Sequence, residues 1–306
     1  MSPLAFGLGS SRAFGIGKRT IPLAVPLNWE MLLVAGGGGT LAEYYTGFFG
    51  DDNFLISYPS SGGGGGGGVR STSGTTNNGS SLYLTVGAGG AASSTSTSLG
   101  SNTYYSLTSG GAAVLTSSGG GSGSDSDTVT RNGGSGGGGG GYGNSAVPYS
   151  RTAGGTGIAG QGNAGGNADN GNTGGYARSG GGGGYGGAGG NGSSSGAGAG
   201  GSGYNLATFA GGSNVYLGWG GGGGGSPAGN NGDPNNPTVS NAPANSGGGA
   251  RGQLEVSGAT GGSGKIVIRY PGTVAKATGG TITYANVGGT DYVIHTFTGS
   301  STFTVL

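Results

Sequence analysis

The sequence predicts an all-β to irregular fold with essentially no α-helix. Its elements are a glycine-rich layered core of polyglycine II helices or Gly-rich strands, short bookend β-strands, and a C-terminal antiparallel β meander. Three observations predict it. Glycine supplies 88 of the 306 residues and falls in runs at 36–39, 62–68, 136–141, 180–184 and 220–225. Apolar strands border this region: Glu30-Met31-Leu32-Leu33-Val34-Ala35 leads into polyglycine and Lys265-Ile266-Val267-Ile268-Arg269-Tyr270 leaves it. No window carries helical periodicity, and glycine opposes helix by about 1 kcal/mol per residue relative to alanine. The expected organisation is an N-terminal docking arm over 1–28, a glycine-rich domain over 29–272 and the meander over 273–306.

Composition narrows the classes. Collagen is excluded, because no strict Gly-X-Y period runs through the chain and only 10 prolines are present. A flexible Gly/Ser linker is opposed by the 15 Tyr, 8 Phe and 2 Trp spread among the glycine runs. Disorder also goes with high net charge, and this chain carries +1. The near-neutral balance gives no field that would draw nucleic acid or an anionic membrane. Without cysteine there are no disulfides and no thiolate metal sites. No apolar run approaches the ~20 residues of a membrane span. The start, Met1-Ser2-Pro3-Leu4-Ala5-Phe6, lacks the charged and apolar regions of a secretory signal, so release by lysis within an assembled particle is the expectation.

Taken in order, residues 1–28 read as an extended arm, with Phe6, Phe14, Arg12, Lys18 and Arg19 as candidate docking residues. Pro22 and Pro26 exclude a central strand or a helix interior. A plain edge strand or frayed terminus is the alternative. Residues 29–35 read as a buried strand that stops at glycine. Apolar islands follow at Phe54–Tyr58, Leu82–Val86, Val114–Thr116 and Val215–Trp219, separated by Asn-Gly and Gly-Asn turn steps.

The runs pose a hydrogen-bonding problem. Each glycine brings a donor and an acceptor, no apolar side chain, and the largest ordering cost of any residue. A dry glycine region must therefore pair nearly all its amides. The polyproline II conformation does so between helices: it has no internal hydrogen bonds, and its amides point outward in three directions. Gly62–Gly68 would span roughly 22 Å in that form. Gly-rich β-strands are the alternative. Beyond Pro271-Gly272, Thr281–Tyr284, Asp291–Thr298 and Thr302–Val305 read as three strands with turns at Gly288-Gly289 and Gly299-Ser300.

Met31-Leu32-Leu33-Val34-Ala35 with its four glycines, Leu84-Thr85-Val86-Gly87-Ala88-Gly89-Gly90, Gly218-Trp219 with six glycines and Gly262–Tyr270 carry a resemblance. In this order they resemble the glycine-rich domain of tailed-phage virion proteins, tail-fibre and adhesin-like proteins among them, over roughly residues 29–306. The chain is also similar to phage adhesins built of stacked polyglycine helices. The Phe-Thr hairpin of Tyr292–Thr298 and Thr302–Val305 departs from the pattern by standing at the C-terminus. The resemblance implies receptor contact through loops between glycine runs. Candidate contact segments are Tyr142–Tyr149 and Asn230–Asn245, with Tyr142, Tyr149, Asn230 and Asn245 at their ends. It supplies no catalytic residue.

Catalytic and metal chemistry finds little support. His295 is the only histidine and sits in an alternating strand, where packing is the simpler role. Gly261-Gly262-Ser263-Gly264-Lys265-Ile266 fails as a phosphate loop, with Ala259 at the first glycine and Ile266 where Ser or Thr must hold magnesium. Gly120–Asp125 starts a calcium-binding nonapeptide in a single copy, with Asp127 where an aliphatic residue should be. Tyr44, Tyr45, Tyr104, Tyr105, Tyr142, Tyr149, Tyr176, Tyr185, Tyr204 and Trp219 either cover glycine layers or offer rigid contact area. The expectation is a non-enzymatic virion structural protein at the particle's tail or outer surface, with no cofactor, no nucleic-acid partner and no membrane insertion. Its partners would be copies of itself (trimers being the usual fibre state), virion proteins at the arm, and a host surface glycan or outer-membrane protein. A capsid-decoration or other appendage protein without a receptor role is the alternative.

Overall fold

A computed structural model describes residues 25–41, 60–93, 98–124, 131–144, 147–169, 178–254 and 258–306. The strands are β1 (Leu27–Val34), β2 (Val69–Thr76), β3 (Ser81–Thr85), β4 (Thr103–Ser106), β5 (Ala113–Ser117), β6 (Gly141–Asn144), β7 (Val147–Arg151), β8 (Tyr204–Asn205) and β9 (Tyr216–Leu217). After a second bookend, β10 (Lys265–Pro271), come β11 (Ala277–Thr278), β12 (Thr281–Val287), β13 (Thr290–Phe297) and β14 (Ser301–Val305). The one helix among the described residues, α1 (Ala207–Ala210), has four residues.

The bookends meet. β1 pairs antiparallel with β10, Glu30 opposite Arg269 and Val34 opposite Lys265, at the centre of a sheet ordered β12-β13-β10-β1-β2. A second sheet, β11-β14-β3-β4-β5, lies over it. Alternation on β1 sends Leu27, Trp29, Met31 and Leu33 into the space between the sheets, where they join Ile266, Ile268, Tyr270, Phe297 and Phe303. The opposite face of β1 is apolar too: Leu32 and Val34 pack with Val267, Ile294, Leu217 and Phe209, so the chain excursion carrying α1 covers it. The C-terminal meander exists as β12-β13 continuing from β10, while β14 crosses to the second sheet and pairs with β3.

Between the strands the glycine runs form a lattice with a repeat of three residues. The amides of Gly63 and Gly66 donate to Gly180 and Gly183, those of Gly64 and Gly67 to Ala250 and Gly247, and those of Gly65 and Gly68 to Gly121 and Ser118. Carbonyls are used in the same rhythm: Gly63 and Gly66 accept from Gly138 and Ser135, Gly65 and Gly68 from Gly38 and Ala35, and Gly64 from Gly221. One segment thus touches six others, donating to three and accepting from three, and runs antiparallel to five of them. Strand ladders offer two neighbours in one plane; a three-residue repeat with bonds in three directions is the polyglycine II arrangement. Residues 35–41 show the same rhythm, with amides 36 and 39 donating to Ser101 and Ser98, and amides 37 and 40 to Gly262 and Ala259.

Glycine is required here by space. A Cβ added at Gly63, Gly64 or Gly67 would stand 2.0, 2.2 or 2.0 Å from the carbonyl oxygen of Gly221, Gly38 or Ala35, and none of these glycines has a left-handed φ. Along its margins asparagine side chains stand in for a missing neighbour. The amides of Gly119, Gly154, Thr156 and Gly222 donate to the Oδ1 atoms of Asn102, Asn167, Asn132 and Asn231 at 2.9, 2.9, 2.7 and 3.0 Å.

Candidate functional site

The lattice has two ends. At one, strands β1, β2, β3, β5 and β10 run directly into or out of glycine helices. At the other, Leu41, Ser60, Ser124, Gly141, Ser179 and Leu254 form a layer. Ser60 bridges to Gly141 and Leu254, Gly140 donates to the Ser124 carbonyl, and the hydroxyls of Ser60 and Ser179 lie 2.5 Å apart. This layer borders segments 42–59, 125–130, 170–177 and 255–257, which lie outside the described residues. So do Tyr44, Tyr45, Tyr176, Asp125 and Asp127.

Tyr142 and Tyr149 lie on β6 and β7, a hairpin that continues from Gly141 at the layer end. Asn230 is exposed, its carbonyl accepting from Gly200, whereas Asn245 is half-buried at φ 62°. The Asn245 amide donates to Ser263 Oγ at 2.8 Å and its Oδ1 receives that hydroxyl at 3.2 Å, so Asn245 secures a loop against the lattice flank. No described bond joins Asn230 or Asn245 to the β6-β7 hairpin. Phe6, Arg12, Phe14, Lys18 and Arg19 lie outside the described residues.

The aromatic residues divide by role. Trp219 is fully buried, and a Cβ on Gly248 would meet its ring at 2.4 Å, so the indole packs against glycine with no room for a side chain there. Tyr105 packs edge-on to Trp29 at 5.9 Å between the sheets. Tyr185 is exposed and packs edge-on to Tyr204 at 5.5 Å.

His295 is fully buried. Its Nδ1 donates to the Gly279 carbonyl at 2.7 Å, and Nε2, at 3.1 Å, accepts from the Tyr270 hydroxyl, which itself receives the Lys276 amide at 2.9 Å. Burial pushes the imidazole pKa below its ordinary value, against the raising effect of the Gly279 carbonyl, and pushes the Tyr270 phenol up. Both ring nitrogens are engaged, which makes His295 a packed strand residue fastening the loop before β12. The phosphate-loop look-alike is closed in a similar way: the amides of Gly261, Gly262 and Gly264 donate to Gly90, Gly248 and Gly87. Among the described residues, no three His, Asp or Glu side chains group as a metal site, and no helix is long and apolar enough to cross a membrane.

Sequence reasoning passed over one constellation. Glu30, the one charge in β1, and Arg269 of β10 pair at 2.6 and 3.0 Å, and the guanidinium lies 4.3 Å from the Phe209 ring centroid and 4.4 Å from that of Tyr292. Arg269 also donates to the Phe209 carbonyl, which ties the α1 excursion to the sheet. An acid in one apolar bookend strand and bases in the other were the available signal. Nearby, Asn28, Glu30, Ser73, Thr75 and Pro271 line an open groove of about 320 Å³. Its polar groups are largely committed, Thr75 donating to Asn28 at 2.7 Å and Glu30 bound to Arg269.

Comparison with protein families matches residues 17–271 to the glycine-rich domain family, and the chain belongs to that family. No curated protein and no solved structure matched it.

Proposed function

We propose that this chain is a non-enzymatic structural protein of a phage particle, a tail-fibre or adhesin component that presents loops to the host surface. The observation that supports it best is the two-ended lattice: a body of side-chain-free helices bonded in three directions, with the β-sandwich at one end and a layer of chain connections at the other. Such a body holds loops in place without a large apolar core. The resemblance of the Met31–Gly39 and Gly262–Tyr270 bookends to tailed-phage glycine-rich domains supports the class. On this reading the arm that precedes β1 docks on other virion proteins and the chain assembles with copies of itself. The layer-end connections, the Tyr142–Tyr149 hairpin among them, meet a host glycan or outer-membrane protein.

Immunogold electron microscopy of the source particle tests this, with antibody raised against residues 273–306, in which Val274 and Leu306, both outside β12, are exposed. Label at tail tips or fibres is the expected result. Label spread over the head would replace adhesion with capsid decoration, and intact particles without label would overturn the virion assignment.

A further inference from the structure

The edges of the two five-stranded sheets are not equally guarded. Unpaired strand edges recruit other strands, and proteins blunt them with charge, proline, bulges or brevity. On β2 Arg70 donates across to the Thr116 carbonyl, and Gly74 interrupts the side-chain row. The outermost strand on the other side of the second sheet, β5, faces a register shift between Tyr105 and Ser106 in β4. The edge formed by β11 has two residues. The remaining edge, β12, has seven residues, Thr281-Ile282-Thr283-Tyr284-Ala285-Asn286-Val287, without charge, proline or bulge, and pairs only with β13.

Its side chains carry a second signature. Ile282 and Tyr284 stand opposite His295 and Val293, on the face turned toward the inter-sheet core, yet they are 37% and 59% exposed and stand outside that core cluster. The outer face at Ala285 and Val287 is already approached by Gly211 at the end of α1. The site therefore asks for an extended strand that brings apolar groups to one face only.

We propose that β12 pairs antiparallel with β12 of a second copy of this chain across a two-fold axis at Thr283. In that register Ile282 of each copy lies opposite Tyr284 of the other, and Thr283 lies opposite itself. Aromatic with β-branched and Thr with Thr are favourable cross-strand pairs, and an uncharged strand meets no like charge in its own copy. This rests on the self-assembly in the preceding proposal and makes it a two-fold dimer at this edge, where a fibre analogy suggests a trimer.

The test uses the purified full chain and its natural lack of cysteine. Light scattering after size exclusion should give twice the chain mass. Ile282→Lys and Tyr284→Lys, at exposed positions, should each halve that mass while leaving the melting temperature of the fold in place. Thr283→Cys should cross-link into covalent dimers with a short bis-maleimide, and Ser71→Cys on the β2 edge should not. A monomeric or trimeric parent, dimers that survive both lysine variants, or equal cross-linking at positions 283 and 71 would overturn the proposal. Particle labelling is indifferent to these outcomes, so failure here leaves the virion assignment to its own experiment.

Discussion

A methyl group at Gly64 would stand 2.2 Å from the Gly38 oxygen and 2.8 Å from its carbon, both backbone atoms with no rotamer to yield. Gly299 has open space around its would-be Cβ and no left-handed φ. The same substitution should therefore act oppositely at the two sites. Gly64→Ala is expected to cost about 3 kcal/mol, the upper range for overpacking. Gly299→Ala should be neutral or stabilising by up to about 1 kcal/mol, through the reduced freedom of the unfolded chain. Denaturant unfolding of both variants beside the parent checks this, and equal destabilisation would refute the space argument. His295 yields a second residue-scale prediction. Its folded pKa is lowered, chiefly by burial, so between that value and the unfolded value near 6.5 the folded chain binds fewer protons than the unfolded chain. The stability it confers is fully present above pH ~6.5 and is lost as pH falls toward the folded value, at up to ~1.4 kcal/mol per pH unit. His295→Gln should remove that part of the slope in urea midpoints measured between neutral and mildly acid pH. An unchanged slope would mean that another group carries the dependence.

At the scale of elements, a polyglycine helix on the lattice margin is completed by side chains. Asn231 is buried; its Oδ1 accepts from Gly222, and its Nδ2 donates to the Asn236 and Val239 carbonyls, both at 2.9 Å. One amide thereby closes the helix and folds the following loop onto it. Asn231→Asp keeps the acceptor but turns a carboxylate oxygen toward two carbonyls, stranding both. The expected loss is about 1–3 kcal/mol, with faster hydrogen exchange confined to residues around 222 and 231–240; exchange unchanged there would remove Asn231 from this role. The elements themselves were legible to different degrees. Both bookends and the β12 and β13 strands follow from local pattern, because alternation is local; the amide problem left the glycine runs open between polyglycine II helices and Gly-rich strands. The asparagine caps were not legible, since Asn231 in Asn-Asn-Gly reads as a turn residue whether or not it receives an amide. Nor was the exit of β14 to the second sheet, or the Arg269–Glu30 pair 239 residues apart in sequence. Those depend on which surfaces the lattice brings together, and glycine runs without side chains do not encode their neighbours locally. Asn245, read as a contact residue from its place between runs, is half-buried and bonded to Ser263 for the same reason.

For the whole molecule, the balance of forces differs from that of an ordinary domain. Apolar side chains are concentrated in two clusters around β1 and β10, while the lattice buries mainly peptide groups. Ordering glycine carries the highest backbone entropy cost, and little hydrophobic burial offsets it within the runs. What offsets it is close packing of paired amides: each central segment bonds in three directions, and carbonyl oxygens occupy the space that Cβ atoms would fill. This has a calorimetric consequence. Exposing apolar surface raises the heat capacity and exposing polar surface lowers it, giving ordinary proteins about 12–15 cal/mol/K per residue on unfolding. Unfolding this chain exposes an unusual share of peptide surface, so its heat-capacity increment should fall well below that range and its stability should vary less steeply with temperature. Scanning calorimetry over a series of pH values, plotting unfolding enthalpy against melting temperature, measures the increment directly. A value inside the ordinary range would mean that apolar burial, and not the amide lattice, dominates the surface exposed on unfolding.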